Sequence, residues 1–145
     1  MPHLTLSLAS DGPLVEVAFA ASSERIEALK LTGQSYPKPV WATGLIDTGA
    51  GISAVGGDVI QALGIVPIGQ IDVYSAVVGH VRPCNLYDVC LAFAPRSSPT
   101  VMHVDMPIIE GVFSGKRYNA LIGRDILRRC LFFYNGSADT FTLAF

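Results

Sequence analysis

With 145 residues, half of them apolar and only 15% charged, the chain is long enough to bury a core of its own, and residues 1–145 read as one domain. A formal net charge of −2, with ten Lys and Arg scattered along the sequence, leaves no basic stripe for a phosphate backbone, so nucleic acid is excluded as the expected partner. A mean hydropathy of +0.44 leaves little charge to cover the surface, and some apolar surface is expected to be buried against a second copy.

No apolar run approaches the roughly 18 to 20 residues that span a bilayer, and MPHLTLSLASDGP lacks a basic stretch ahead of its apolar residues. A soluble, untargeted chain with no membrane partner is expected. Cys84, Cys90 and Cys130 form an odd set without a C-x-x-C pair. On a shared strand, Cys84 and Cys90 would lie roughly 20 Å apart at about 3.3 Å per residue, beyond disulfide reach. Buried or half-buried thiols in a reducing, cytoplasmic compartment are expected.

In chain order, Leu4, Leu6 and Leu8 alternate with polar residues, Asp11-Gly12-Pro13 turns the chain, and Val15, Val17 and Phe19 alternate after it, which predicts a hairpin. Residues 21–32 fit a helical turn or a polar loop equally well. Trp41 to Ile46 is a short apolar strand. Asp58 can cap a short helix through Val59, Ile60, Ala62 and Leu63, closed by Gly64. Ile71 to Phe93 reads as a long hairpin centred on Val78-Gly79-His80. Residues 95–99 form a loop, and Thr100 to Ile109 is a strand that Pro107 places at an edge. Residues 111–119 are polar and predicted to be exposed. Ala120 to Gly123 is an apolar strand, Arg124 to Cys130 a short helix, and Phe132 to Phe145 a hairpin turning at Asn135-Gly136. Asn135-Gly136-Ser137 also matches a glycosylation sequon, but the turn explains it better. The architecture is mainly β with two short helices.

The chemistry concentrates in residues 44–53, GLIDTGAGIS. Read from Gly49, the string fits G-x-G-x-x-A, the turn that lays a dinucleotide's pyrophosphate on a helix N-terminus, and Asp72 stands where the ribose-binding acid would. That turn needs a long helix behind it. Gly56-Gly57 interrupts such a helix, at about 1 kcal/mol per glycine, and no βα alternation follows. The stretch 111–116, GVFSGK, falls one residue short of a phosphate loop, and Arg117 replaces its Ser or Thr. There is no G-x-S-x-G or H-E-x-x-H, and His3, His80 and His103 lie far apart in sequence, so no metal site is expected.

Read from Asp47, the same string is an Asp-Thr-Gly turn after an apolar approach through Leu45 and Ile46, followed by the small residues Ala50 and Gly51. A second apolar strand opens the text ALIGRDIL at Ala120. Asp-Thr-Gly by itself is a common turn. With LIDTGA, a helix ending in ALGI, a long central hairpin, ALIGRDIL and a final strand pair, the chain from about Trp41 onward resembles the retropepsins, the retroviral-type aspartic proteases and their cellular and bacterial relatives.

The resemblance implies a single-domain retropepsin-like acid-protease fold: mainly β, a closed, barrel-like sheet with a flap hairpin and one or two short helices. It implies an aspartic endopeptidase without a cofactor, active as a homodimer on peptide or protein substrates in extended, apolar segments. Aspartic proteolysis uses two carboxylates about 3 Å apart that share one proton. This chain holds one Asp-Thr-Gly, and neither Asp125 nor Asp139 begins another, so the second carboxylate must come from a second chain across a twofold axis.

In this scheme Asp47 is shared acid and base, Thr48 sends its hydroxyl across the axis, and Gly49 gives the carboxylate an N–H. Ala50 stands where pepsin-like enzymes carry a hydroxyl residue, so an activity optimum less acidic than pepsin's is expected. Leu121, Ile122 and Gly123 back the catalytic loop, and Arg124 and Asp125 open the last helix. Gly51 replaces the acid that retroviral members often place there. With Ala50 and Gly51 as site wall, Ala76, Val77, Val78, Gly79 and His80, at the hairpin tip Ala76 to Val81, form the substrate-covering flap. The alternating apolar termini (Leu4, Leu6, Leu8; Phe141, Leu143, Phe145) could supply a dimer sheet. The alternative readings are a dimeric peptide-binding or scaffolding module of the same fold with weak or no turnover, and a nucleotide-binding protein.

Overall fold

The computed structural model describes residues 1–74, 79–93 and 102–145. In chain order the elements are β1 (His3–Ser7), β2 (Leu14–Ala21), α1 (Ser23–Leu31), β3 (Val40–Ile46), β4 (Ala54–Gly56), α2 (Gly57–Leu63), β5 (Gly69–Tyr74), β6 (Val81–Phe93), β7 (Met102–Gly111), β8 (Ala120–Ile122), α3 (Arg124–Leu127), β9 (Leu131–Asn135) and β10 (Thr140–Ala144).

Six strands close on themselves in the order β2-β3-β8-β4-β7-β6, with β6 returning to β2, and β5 extends the sheet from β6. Closure leaves the ring without an open edge. Period-two alternation decides what faces inward. Val15, Val17 and Phe19 of β2 meet Val89, Leu91 and Phe93 of β6, Ile108 of β7 and Ile122 of β8 in one core, sealed by Val59 and Leu63 of α2 and Ile126 of α3. The chain is therefore mainly β with a closed six-stranded barrel, as the sequence indicates, but the described residues hold three helices rather than two.

The first pair of strands departs from the expected hairpin. Ala9 and Gly12 exchange both backbone hydrogen bonds at 3.0 Å, so the turn exists, yet the strands on either side diverge. β2 enters the barrel beside β3, whereas β1 pairs antiparallel with β10, from His3↔Ala144 to Ser7↔Thr140. With β9 on the other flank of β10, these strands form a separate three-stranded sheet. Its inner residues Leu4, Phe141 and Leu143 join the barrel core.

Several local features differ in the same instructive way. Residues 21–32 resolve as helix: Ser22 Oγ accepts from Arg25 N–H at 3.4 Å as N-cap, and α1 buries no residue. Asp58 lies inside the first turn of α2, which Gly56 opens without a side-chain cap, while Gly64 ends the helix at φ +59° as expected. Pro107 is not on an edge strand, since β7 lies between β4 and β6. β4 pairs only with residues 109–111, however, so at Pro107 the missing N–H costs no ladder bond on that side. The last helix is shorter than Arg124 to Cys130. The final hairpin turns through four residues, 136–139, between paired Asn135 and Thr140. Asp139, not Gly136, takes the left-handed position at φ +49°, and Asn135 Oδ1 accepts from Ser137 Oγ–H and Ala138 N–H.

Candidate active site

The candidate catalytic loop leaves β3 at Ile46, where β3 runs parallel to β8 with Gly44↔Ala120 and Ile46↔Ile122. Asp47 N–H donates to the Ile122 carbonyl at 3.0 Å, extending that ladder by one bond and fixing where the side chain starts. The Ala50 N–H closes the turn on the Asp47 carbonyl at 3.2 Å. Gly49 N–H donates to Asp47 Oδ1 at 2.9 Å. A Cβ on Gly49 would stand 3.1 Å from that same oxygen, so glycine lets the amide come this close. Asp47 is part-exposed and Thr48 exposed, so both present themselves outward. The Thr48 hydroxyl makes no hydrogen bond among the described residues.

Behind this loop sits a second, tighter layer. The Arg124 N–H donates to the Ala50 carbonyl at 2.9 Å. A Cβ on Gly123 would lie 2.9 Å from the carbonyl carbon of Ile52 and 3.1 Å from the Ala50 oxygen, so only glycine lets β8 cross the loop here. Ser53, 1% exposed, ties the two segments together. Its N–H donates to Asp125 Oδ2 at 2.7 Å, and its hydroxyl donates to Asp125 Oδ1 at 2.7 Å while accepting from Gly123 N–H at 2.9 Å. Ile126 N–H adds a bond to Asp125 Oδ1 at 2.9 Å.

The structure thus brings Asp47, Thr48, Gly49, Ala50, Gly51, Leu121, Ile122, Gly123, Arg124 and Asp125 into one neighbourhood. Arg124 leans over Gly51, whose Cβ would fall 3.7 Å from a guanidinium nitrogen, and among the described residues no carboxylate pairs with it. Ser53 was missed by sequence reasoning. Its signal was available: a lone hydroxyl between Ile52 and Ala54-Val55, in a segment about to enter the core, must find a partner there.

The central hairpin is present, with β5 antiparallel to β6 and Tyr74↔Val81 as the last pair. Gly79 has φ +85°, and Gly79 and His80 are exposed, while Ala76, Val77 and Val78 lie outside the described residues. Gly49-Ala50-Gly51 does not open a helix. The chain passes into β4, and α2 begins only at Gly57, which removes the pyrophosphate geometry. No group of three His, Cys, Asp or Glu among the described residues could hold a metal ion. Among them, too, no helix is long and apolar enough to cross a membrane.

Cys84 is buried and Cys90 and Cys130 half-buried, all as free thiols. Burial pushes the Cys90 thiol up from the ordinary 9.0, and the Asp105 carboxylate adds to the shift. Burial alone raises Cys130.

A closed barrel entered by an Asp-Thr-Gly loop and flanked by a β-hairpin is the retropepsin-like fold. Among solved structures the chain is similar to the retropepsin-like aspartic protease of Rickettsia conorii, with a TM-score of 0.61 over 99% of this chain and 91% of that one, at 14% identity. No protein-family model and no curated protein matches the sequence.

Proposed function

We propose that the protein is an aspartic endopeptidase that works as a homodimer on extended, apolar peptide segments. The observation that carries this reading is the state of Asp47: a part-exposed carboxylate on a hydrogen-bonded loop, with one N–H donor and the rest of its acceptor capacity open. In such a site one carboxylate takes a proton from water as the water oxygen attacks the scissile carbonyl, and the other gives a proton to the carbonyl oxygen. The tetrahedral intermediate then breaks its C–N bond as a proton passes to the leaving amine. One Asp47 cannot do both at once, so a second copy supplies the other.

Because β1 and β10 pair within the chain, a terminal interface sheet would extend from one of the two edges of this three-stranded sheet, β1 or β9. The outer edge of β9 has no strand beside it among the described residues, and Leu131, Phe133 and Tyr134 on it are more than half exposed. A hollow of about 420 Å³ lined by Thr48, Arg124, Leu127, Arg128 and Phe132 makes this edge continuous with the catalytic loop. In the proposed dimer β9 meets its copy, and the hairpin tip at Gly79-His80 closes over substrate.

Subunit mixing tests the reading. Adding excess Asp47→Asn protein to a fixed amount of wild type should depress cleavage of an apolar fluorogenic peptide library, because mixed dimers hold one carboxylate. Cleavage that stays proportional to wild-type protein at every ratio contradicts it. Peptide binding without turnover, unaffected by Asp47→Asn, would favour the binding module instead.

A further inference from the structure

Alternation puts the outward residues of a barrel in water, and next to Ala18 it does so with Glu16 opposite Thr43. Two cross-strand rows break the pattern. In one, Trp41 of β3 stands opposite Ala18 of β2, Ala18 opposite Ala92 of β6, and Ala92 opposite His103 of β7. In the next, Ala20 of β2 stands opposite Cys90 of β6, and Cys90 opposite Asp105 of β7. These side chains point away from the core, which Val17, Phe19, Val89 and Leu91 fill from the same strands.

Small residues on the two middle strands and large ones on the flanks make a trough. It encloses about 430 Å³, within the range of small-molecule sites, with Pro39 and Trp41 as one wall. Its charged chemistry is one-sided. Lys38 is exposed at the wall and pairs with no carboxylate among the described residues, and His103 of β7 lines the opposite flank. Asp105, opposite Cys90, accepts from the Ser23 N–H at 3.0 Å. Cys90 Sγ lies 3.9 Å from His103 Nδ1. Its thiol, held in the neutral form, acts as apolar wall rather than nucleophile.

We propose that this trough is a binding site, separate from the Asp47 loop, for a small amphipathic carboxylate: an apolar chain along Ala18, Ala20 and Ala92 against the Trp41 ring, and an anionic head at Lys38. The apolar body fits the floor, and the head answers Lys38, the one unpaired cation among the described lining residues.

The chain's single tryptophan is in the wall, so its emission reports occupancy directly. Decanoate, titrated below the concentration at which it self-associates, should change Trp41 emission saturably, and decyltrimethylammonium should bind more weakly. Lys38→Glu should weaken decanoate roughly fivefold and reverse the order of the two probes. Ala92→Leu should abolish the response by filling the floor, and Ala20→Leu, at a half-buried position, repeats the test if the first variant misfolds. A non-saturating signal, equal binding of both probes in wild type and Lys38→Glu, or an undiminished response in a folded filled variant overturns the proposal. So does a filled variant that dissociates a dimer in sedimentation, since a second copy would then be the occupant. None of these readouts depends on peptide cleavage.

Discussion

Two carboxylates lie on facing segments of the same site and are treated in opposite ways. Asp47 receives one hydrogen bond, from Gly49 N–H, and faces outward. Asp125 receives three, from Ser53 N–H, Ser53 Oγ–H and Ile126 N–H, and is part-buried. A carboxylate offers about four acceptor positions, so Asp125 is nearly saturated, whereas Asp47 keeps most of its capacity for something outside the chain. The difference separates scaffold from the proposed chemistry: the saturated acid fixes the loop, and the unsaturated one keeps the acceptor capacity that the proposed reaction needs.

The sharpest way to break that distinction is to exchange the roles. Asp47→Asn should reduce peptide turnover by roughly 10³-fold or more while leaving the urea midpoint close to wild type. Asp125→Ala should do the reverse in kind. With three donors losing a charged acceptor, stability should fall by about 3 kcal/mol in urea denaturation, and activity should recover in conditions that restore folding. Gly123→Ala attacks the same scaffold through space rather than charge. Its methyl would meet the backbone of Ile52, and a loss of about 2 kcal/mol is expected. Ser53→Ala should cost about 2 kcal/mol, less than Asp125→Ala, because its backbone N–H still reaches the carboxylate. If Asp47→Asn destabilises as much as Asp125→Ala, the separation of roles is wrong.

The smallest expected effect concerns alkali. The Cys90 and Cys130 thiols are raised above the ordinary 9.0, so the folded state resists their ionisation more than the unfolded state does. Their contribution is intact below pH 9 and is lost as pH climbs through the raised values. The urea midpoint should therefore fall slightly between pH 8 and pH 10, and Cys90→Ser should flatten part of the slope.

Much of the site was legible because its determinants are local. An apolar approach, Asp-Thr-Gly and two small residues define a turn closed by local bonds, from Ala50 N–H to the Asp47 carbonyl and from Gly49 N–H to Asp47 Oδ1, and Gly64 stops α2 where a left-handed position is needed. The partners of those segments were less legible. That Ser53 serves Asp125 depends on a contact spanning 72 positions, and periodicity says nothing about distant pairing. Leu4 and Leu6 alternate as they would in a hairpin, yet their neighbours are Leu143 and Phe141. α1 gave no apolar stripe because it buries nothing, so its text fits a polar loop as well as a helix. Glycine at Asn135-Gly136 suggested the turn but not its length, which Asp139 sets by taking positive φ.

The pairing of residues 3–7 with residues 140–144 also has a consequence in time. Contacts of such separation form late, since the entropy of closing so long a loop must be met before the strands reward it. During synthesis at about 5 to 20 residues per second, the Asp47 loop emerges several seconds before β9 and β10 exist. A chain whose first strand pairs with residues 140–144 carries a delay: the turn at Asp47 is made first, and β1 stays unpaired until those residues have been added.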